Sequence, residues 1–273
     1  MSPLNQRRLG RTNLNVTELG LGAMDTPTSK DGPATLQTSR NLGINLIDTA
    51  RDYAGSEFLI GQHIREHGPG DLLVTSKTFS HTINGSQRDV DRSLATLGLE
   101  TIPLYQLHDI STPEAWSEVT DEDTGALAGL KTAQYRGLIH HIGVSSHNTQ
   151  LIETLITSGH FDAVMLEYSA FFPETAPLIH LAAQHDVGVI AMRPLGGSGR
   201  TSAIRTAIAD GNIGPLTPAN LLRYVLSNPN ITTAITGARH PSRIEANVHT
   251  ATSYDPMPPH ERRALEAHAA RLY

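Results

Sequence analysis

The sequence predicts an α/β protein with a (β/α)8 TIM barrel fold, formed as a single domain by residues 1–273. Eight short apolar runs alternate with helical patterns along the chain, as repeated strand-then-helix units require. No linker or low-complexity segment divides the chain, and 273 residues is a size at which such barrels are commonly single domains. These observations alone leave a doubly wound open sheet as the alternative.

The elements are predicted in barrel order. A short hairpin is expected from residues 8–12 and 15–17, with Gly10 near its turn. The eight strands are predicted at residues 19–22, 44–47, 72–75, 104–107, 139–144, 163–166, 188–192 and 233–235. Helices between them are predicted at residues 34–42, 56–66, 86–97, 126–134, 148–158, 176–185, 218–227 and 241–251. A short helix at 202–209 is expected within a long irregular region, and an outer helix at 258–272 near the end of the chain.

The composition argues against several classes of function. A net charge of −6 without a basic block disfavours nucleic acid and anionic membranes as main partners. The absence of cysteine excludes disulfides and thiolate catalysis, and it fits a cytoplasmic protein. We find no apolar signal-peptide region at the N-terminus and no apolar run near the roughly 18 residues of a membrane helix. A small-molecule partner is therefore expected, and no metal site is predicted.

The segment at residues 43–57 is the centre of the predicted active site. A turn glycine and a short apolar run lead to Asp48, a polar loop carries Tyr53, and a helical pattern begins near Ser56. An acid therefore lies at the C-terminal end of a strand, with a phenol on the following loop. In a strand-and-helix barrel this face carries the catalytic residues. Taken alone, Asp48 could equally cap the helix and Tyr53 could be a packing residue.

Residues 43–53 read Gly-x-x-x-x-Asp-Thr-Ala-x-x-Tyr, a pattern of the aldo-keto reductases. Further blocks of that family recur in family order at residues 74–77, 105–109, 142–146, 194–197 and 237–247. The chain therefore resembles the aldo-keto reductase family over nearly its whole length. The resemblance implies a closed barrel rather than an open sheet, with the N-terminal hairpin plugging the bottom of the barrel.

The resemblance also implies a catalytic tetrad of Asp48, Tyr53, Lys77 and His108. A free tyrosine has a pKa of about 10, and a nearby ammonium lowers it, so Lys77 is expected to lower the pKa of the phenol. Asp48 would hold Lys77 charged and in place, and His108 would donate a hydrogen bond to the substrate oxygen. Considered singly, His108 is more simply a structural residue and Lys77 a surface charge.

The cofactor implied by the resemblance is a nicotinamide dinucleotide, NADPH rather than NADH, stretched across the barrel mouth. The Gly-x-Gly-x-x-Gly motif of open-sheet dinucleotide sites is absent. The candidate cofactor residues are Ser145, Ser146, Met165, Met192, Arg193, Leu195, Gly197, Gly237, Arg239, Arg243 and Asn247. Backbone N–H groups of the glycine-rich segment 195–200 can bind a pyrophosphate, although the segment could equally be a flexible loop. Arg239 and Arg243, near the start of a helix, suit a 2′-phosphate. Met165, Met192 and Gly237 stand where the family commonly has Gln, Tyr and Lys.

The substrate side is predicted less specifically. The candidate wall residues are Met24, Phe79, Trp116 and Tyr168. Trp116 could almost equally be a packing residue at the start of a helix. The chain ends soon after the outer helix, so an open mouth and a broad preference are expected. The resulting interpretation is NADPH-dependent reduction of an aldehyde, ketone or sugar-like carbonyl, with Tyr53 as general acid. The alternatives are oxidation of a sugar or alcohol with NAD(P)⁺, and a regulatory protein that binds the cofactor and turns over little.

Overall fold

The structure is a computed structural model that describes residues 3–197, 206 and 214–272. The strands of this part of the chain are β1 (Gln6–Arg8), β2 (Asn15–Thr17), β3 (Leu19–Gly22), β4 (Leu46–Asp48), β5 (Leu73–Thr78), β6 (Ile102–Leu107), β7 (Ile139–Ser145), β8 (Ala163–Glu167), β9 (Gly188–Met192) and β10 (Thr233–Gly237). Strands β3 to β10 are parallel and pair in chain order, and β10 pairs back with β3 to close a barrel. The predicted (β/α)8 barrel is confirmed, and the open-sheet alternative is excluded.

The N-terminal hairpin closes the floor of the barrel. Strands β1 and β2 pair antiparallel, and Leu9 and Val16 join the cluster of side chains inside the barrel. The hairpin is tied to the start of β9 because Arg8 pairs with Asp186 at 2.5 Å. Gly10 has φ +51°, and a Cβ there would lie 2.2 Å from the backbone N of Gly188, so only glycine fits. The first arm of the hairpin was predicted at residues 8–12 but lies at residues 6–8, since residues 10–12 form a 3-10 turn.

Side chains of the barrel strands alternate between two cores. The interior cluster contains Leu9, Val16, Leu46, Leu104, Ala163, Met165, Ile190 and Ile235. Ile47, the neighbour of Leu46, belongs instead to the layer between the barrel and the helices. This period of two turns Asp48 inward at the end of β4, above the apolar floor. The barrel therefore presents its polar inward residues at the C-terminal mouth.

The helices of the described residues surround the barrel. They are α1 (Gly32–Asn41), α2 (Ser56–His67), α3 (Ile83–Leu97), α4 (Pro113–Thr120), α5 (Ala126–Tyr135), α6 (Thr149–Thr157), α7 (Ala176–Gln184), α8 (Pro218–Leu226), α9 (Pro241–Ser253) and α10 (Pro259–Ala269). Helix α4 was not predicted, although Thr112 caps it by accepting a hydrogen bond from Ala115 N at 3.1 Å. The helix predicted at 202–209 lies, apart from residue 206, outside the described residues. No helix in the described ranges is long and apolar enough to cross a membrane.

Candidate active site

The fold brings the four predicted catalytic residues to the barrel mouth. Asp48 ends β4, Lys77 lies near the end of β5, and His108 directly follows β6. Tyr53 lies on the loop between β4 and α2. The C-terminal ends of parallel barrel strands meet at one face, so residues far apart in the chain become neighbours there.

Lys77 and Asp48 form a buried ion pair. The Lys77 side chain is 0% exposed and the Asp48 side chain 5%. The ammonium donates to Asp48 Oδ1 at 2.8 Å, to Asp48 Oδ2 at 2.6 Å and to the Thr49 carbonyl at 2.8 Å. Thr75 Oγ1 also donates to Asp48 Oδ1 at 2.9 Å. All three ammonium protons thus have acceptors, as a buried cation requires.

Tyr53 lies between this ion pair and His108. The Lys77 Nζ is 5.1 Å from the centroid of the Tyr53 ring. The Tyr53 hydroxyl is 3.5 Å from His108 Nε2, and the two rings meet edge to face with centroids 5.5 Å apart. Catalytic hydrogen bonds are often this long before a substrate is bound.

The surroundings raise the pKa of Tyr53 above that of a free tyrosine. Burial contributes most, and the carboxylates of Asp48 and Asp52 add to it, while Arg193 acts in the opposite direction. The net effect on the pKa of the phenol is therefore opposite to the expected lowering, because burial and the carboxylates determine its direction. The Lys77 ammonium is bound to Asp48 and Thr49 rather than to the phenol oxygen. Tyr53 consequently keeps its proton throughout the neutral range.

Asp52 and Phe79 hold the His108 ring in place, a role that the sequence did not predict for either residue. Asp52 Oδ1 lies 3.0 Å from His108 Nδ1. The Phe79 ring stacks on the imidazole with centroids 4.0 Å apart and an interplanar angle of 22°. Phe79 was predicted as a substrate wall, and the structure adds contact with His108. Asp52 precedes Tyr53 in the chain, but only the barrel topology shows that it reaches a residue 56 positions away.

The loop that carries Tyr53 is anchored at both ends. Thr49 Oγ1 donates to Ser56 Oγ at 2.7 Å, and Ser56 Oγ donates to the Ala23 carbonyl at 2.9 Å. Glu57, buried in the first turn of α2, pairs with Arg51 on the same loop. These contacts fix the position of the phenol relative to strands β3 and β5.

The predicted nicotinamide contacts lie at the ends of β7, β8 and β9. Ser145 Oγ accepts a hydrogen bond from Asp109 N at 2.8 Å, and Ser146 Oγ accepts one from Asn148 N at 3.1 Å. Met165 is buried in the interior cluster, and Met192 packs against it while partly exposed. Met165 thus forms part of the apolar layer beneath the mouth.

Arg193 belongs to a charged cluster that was not predicted. Its Nη1 donates to Glu167 Oε1 at 2.7 Å, and His147 Nδ1 lies 2.6 Å from the same oxygen. Arg193 has φ +52°, a left-handed conformation that turns the chain sharply after β9.

Leu195 packs against the outer core, and Gly197 has φ +78°. Residues 198–200 of the glycine-rich segment lie outside the described residues.

The predicted phosphate-binding residues lie on the rim next to β3. Arg239 Nη2 donates to Asp25 Oδ2 at 3.0 Å, so its charge is shared with a carboxylate. Arg243 is exposed in the first turn of α9, and within the described ranges it makes no ion pair. Gly237 is exposed at the end of β10, and Asn247 is buried on α9. The structure brings these four residues to one rim segment.

Comparison with known proteins identifies the family. The sequence model of the Aldo/keto reductase family matches residues 18–213, which is more than half of the chain. The chain belongs to the aldo-keto reductase family. It is 31% identical to an aldo-keto reductase from Mycolicibacterium vanbaalenii, over 85% of this chain and 81% of the relative. It is 25% identical to L-galactose dehydrogenase from Arabidopsis thaliana, over 94% and 91% of the two chains.

A solved structure supports the fold. An aldo-keto reductase from Klebsiella pneumoniae in complex with NADPH superposes with a TM-score of 0.75, at 21% identity over 98% of this chain and 96% of that one. This likeness shows the barrel architecture. This aldo-keto reductase is thus an oxidoreductase of a family that acts on small-molecule carbonyl substrates with a nicotinamide cofactor.

Two predicted substrate-wall residues of this aldo-keto reductase lie away from the mouth. Tyr168 is fully buried behind the barrel wall, where it packs against Tyr224 of α8 and accepts a hydrogen bond from Arg262 of α10. Trp116 lies on α4 and contacts Phe161, which precedes β8 at the opposite end of the barrel. The predicted position of Tyr168 was wrong, because its side chain faces outward. Trp116 packs on a helix, which is the alternative that the sequence left open for it.

The other two wall residues are exposed just after the C-terminal ends of their strands. Met24 follows β3 and is 51% exposed, and Phe79 follows β5 and is 46% exposed. Phe58, in the first turn of α2, is 61% exposed and was not predicted. Large apolar side chains that stay exposed on neighbouring segments are typical of ligand-binding surfaces.

Proposed function

We propose that this protein is an NADPH-dependent carbonyl reductase that converts an aldehyde, ketone or sugar-like carbonyl to the alcohol. The observation that carries the proposal is the position of Tyr53 between the buried Lys77–Asp48 pair and His108 at the barrel mouth. The test is a panel of aldehydes and ketones, with NADPH consumption followed by absorbance. Substrate-dependent consumption that Tyr53→Phe abolishes would support the proposal, and consumption that survives this substitution would contradict it.

Each residue of the tetrad has a role in this reaction. When bound, the nicotinamide supplies a hydride to the carbonyl carbon. Tyr53 Oη holds a proton and gives it to the carbonyl oxygen as negative charge develops there. The Lys77 ammonium, 5.1 Å from the phenol ring, stabilises the phenolate that remains. Asp48 keeps the ammonium charged and fixed, so this stabilisation exists before the reaction begins.

The exposed apolar side chains support a substrate with an apolar part. Met24, Phe58 and Phe79 lie on three successive barrel units around the Tyr53 loop. Their contact with substrate would remove apolar surface from water, which stabilises binding by about 25 cal/mol per Å² buried. The proposal is therefore a preference for carbonyl compounds that carry an alkyl or aromatic group.

The raised pKa of Tyr53 predicts the dependence of the two reaction directions on pH. Reduction uses the protonated phenol, so ionisation of Tyr53 should not slow it between about pH 7 and pH 9. Oxidation of an alcohol needs the phenolate, whose fraction rises about tenfold per pH unit below the pKa. We therefore expect oxidation to be slow at pH 7 and to accelerate steadily over this range. Steady-state rates for one aldehyde and its alcohol measure both directions.

Oxidation is the second candidate function. The likeness to L-galactose dehydrogenase favours it, since that relative is aligned over 94% of this chain. The rate of alcohol oxidation at pH 7 could equal the rate of reduction and stay constant as the pH rises. That result would favour oxidation as the function and would show that Tyr53 is not the group that exchanges the proton.

The residues on the rim next to β3 offer hydrogen-bond donors that suit the 2′-phosphate of NADPH. Arg243 offers an exposed guanidinium beside the N-terminus of α9, where His240 provides no side-chain cap. A phosphate dianion suits a guanidinium fork and backbone N–H groups at a helix start. Asn247 lies one turn further along α9 and would contact the adenine. Arg193 and Ser145, across the mouth, would hold the nicotinamide end of the cofactor.

Arg243→Ala should weaken NADPH binding and leave NADH binding nearly unchanged. Charge-assisted hydrogen bonds contribute about 1.5–3 kcal/mol, which corresponds to roughly tenfold or more in Kd. Only NADPH carries the 2′-phosphate that Arg243 would bind. Fluorescence titration of both cofactors against both proteins measures this difference. Equal loss for the two cofactors, or a wild-type preference for NADH, would contradict the assignment.

Gly237→Lys provides the reciprocal control. Gly237 stands where the family commonly has a lysine, and a Cβ there would have its nearest neighbour, Gly22 O, at 3.9 Å. The position thus accepts a side chain without displacing other atoms. We expect the lysine to tighten NADPH by roughly tenfold without affecting NADH. Gly237→Met, which adds a long neutral side chain, should leave both affinities unchanged.

A further inference from the structure

Glu57 is a buried carboxylate that the proposed reaction does not use. It lies in the first turn of α2, and only 3% of its surface is exposed. Its Oε1 accepts hydrogen bonds from Ser76 Oγ and Ser93 Oγ, each at 2.6 Å, and its Oε2 pairs with Arg51 Nη1. Burying a carboxylate costs free energy unless it is paired and hydrogen-bonded, and these donors provide both. The contacts therefore hold Glu57 in one position.

The ion pair between Arg51 and Glu57 closes the chain around Tyr53. The two charged residues lie on either side of Tyr53 in the sequence, and their side chains meet behind it. The Arg51 backbone N–H also donates to the Lys77 carbonyl at 3.1 Å, so the loop is paired with the end of β5. A bridge between the two ends of a loop limits the conformations of the residues between them.

The two serines join Glu57 to strands β5 and β6. Ser76 precedes Lys77 on β5, and because side chains alternate along a strand, Lys77 points into the barrel and Ser76 toward the helices. Ser93 lies on α3 and is 2.9 Å from the hydroxyl of Tyr105 on β6. Burial raises the pKa of Tyr105, so this hydroxyl keeps its proton and donates to Ser93. Glu57 thus links the loop before α2 to both strands.

We propose that Glu57 is a positioning residue, which holds the Tyr53 hydroxyl at the fixed place relative to the Lys77 ammonium from which it protonates the substrate. The inference rests on the proposed function and deepens it, because it assigns the placement of the acid to a carboxylate outside the barrel. Glu57 acts through Arg51 and the loop that carries Tyr53, and through Ser76 it fixes that loop against β5.

Glu57→Gln breaks the ion pair with little change in size. The amide oxygen can accept from Ser76 and Ser93, but the amide N–H groups then face the Arg51 guanidinium, which also donates. We expect the kcat for carbonyl reduction to fall about tenfold or more, within the roughly 10²-fold that a misplacement of about 1 Å can cost. The KM and the affinity for NADPH should not change.

Two substitutions at Arg51 reach the same ion pair from the loop. Arg51→Met removes the cation and should lower kcat as much as Glu57→Gln does, so it decides the question if Glu57→Gln does not fold. Arg51→Lys should retain most of the kcat, because the pair is made through a single nitrogen that an ammonium can replace. Wild-type kcat in a folded Glu57→Gln or Arg51→Met variant would overturn the inference.

Glu18→Gln is the matched control, because Glu18 forms a similarly buried ion pair at the floor of the barrel. The Glu18 and Arg7 side chains are 0% and 22% exposed, and those of Glu57 and Arg51 are 4% and 25% exposed. Each carboxylate also accepts hydrogen bonds from two neutral side chains. Glu18→Gln should therefore lose comparable stability in thermal unfolding but keep its kcat. Equal kcat losses at the two sites, or a change in KM alone, would overturn the inference.

Hydrogen exchange of residues 49–55 reports the position of the loop without turnover. Peptide-resolved mass spectrometry should show faster exchange of this segment in Glu57→Gln and Arg51→Met, and an unchanged rate in Glu18→Gln. Unchanged exchange in Glu57→Gln would overturn the inference and leave the proposed function intact. If the wild type reduces no carbonyl compound, the proposed function fails, and the exchange rates still decide whether the ion pair holds the loop.

Discussion

Replacing Tyr53 with phenylalanine is expected to lower the kcat for carbonyl reduction by roughly 10²–10⁴-fold, the contribution typical of a positioned general acid. The phenol is the proton donor next to the buried ion pair, and its raised pKa keeps the proton available at neutral pH. Phenylalanine retains the ring that lies beside Lys77 and His108 but removes the hydroxyl. Turnover of the two proteins on one good substrate measures the effect.

The folded structure and the cofactor site should survive this substitution. Within the part of the chain that the structure describes, the Tyr53 hydroxyl makes one long hydrogen bond, to His108 Nε2 at 3.5 Å, so its removal strands no buried partner there. Thermal unfolding and NADPH titration of Tyr53→Phe provide the control. If the variant binds NADPH normally and retains near-wild-type turnover, Tyr53 is not the acid and the tetrad assignment fails.

Lys77→Met is expected to impair both stability and activity. The substitution keeps the length of the side chain but leaves Asp48 as a buried charge with only polar neutral partners. Breaking a buried pair in this way typically costs about 3–5 kcal/mol of unfolding free energy. Reduction should also slow, because the phenolate formed at Tyr53 loses a cation that lies 5.1 Å from its ring. Urea unfolding and steady-state kinetics measure the two effects.

A double variant separates the lost charge pair from other effects of the mutation. Asp48→Asn combined with Lys77→Met removes both charges, so it should recover part of the stability that Lys77→Met loses. It should not recover activity, since the ammonium is still absent. A single Lys77→Met variant as stable and as active as the wild type would show that the ion pair supports neither folding nor catalysis.

The fold was predictable because each barrel strand leaves a local signal. Runs such as residues 188–192 are short and apolar, and the helices between them show helical spacing, so all eight strands were placed within a few residues. Asp48, Lys77 and His108 were also predictable, since each lies at or beyond the end of a strand. Their convergence follows from the parallel topology alone.

The errors came from side-chain direction and from contacts between distant segments. The alternation that turns Met165 and Glu167 inward turns Tyr168 outward, so its burial against Tyr224 could have been inferred from the strand. The contact between Asp52 and His108 depends on the path of a loop, which no periodicity shows. The pKa of Tyr53 could not be predicted from the presence of Lys77, because burial and the carboxylates of Asp48, Asp52 and Asp109 raise it.

Reduction of carbonyl compounds with NADPH by the tetrad is tested by the stoichiometry of the wild-type reaction. NADPH consumed is measured by absorbance, and the alcohol formed is measured by mass spectrometry, for a panel of alkyl and aromatic aldehydes and ketones. We expect equal amounts of both, and no alcohol from Tyr53→Phe. Tight NADPH binding without carbonyl-dependent consumption on any member of the panel would contradict this expectation and favour a regulatory cofactor-binding protein.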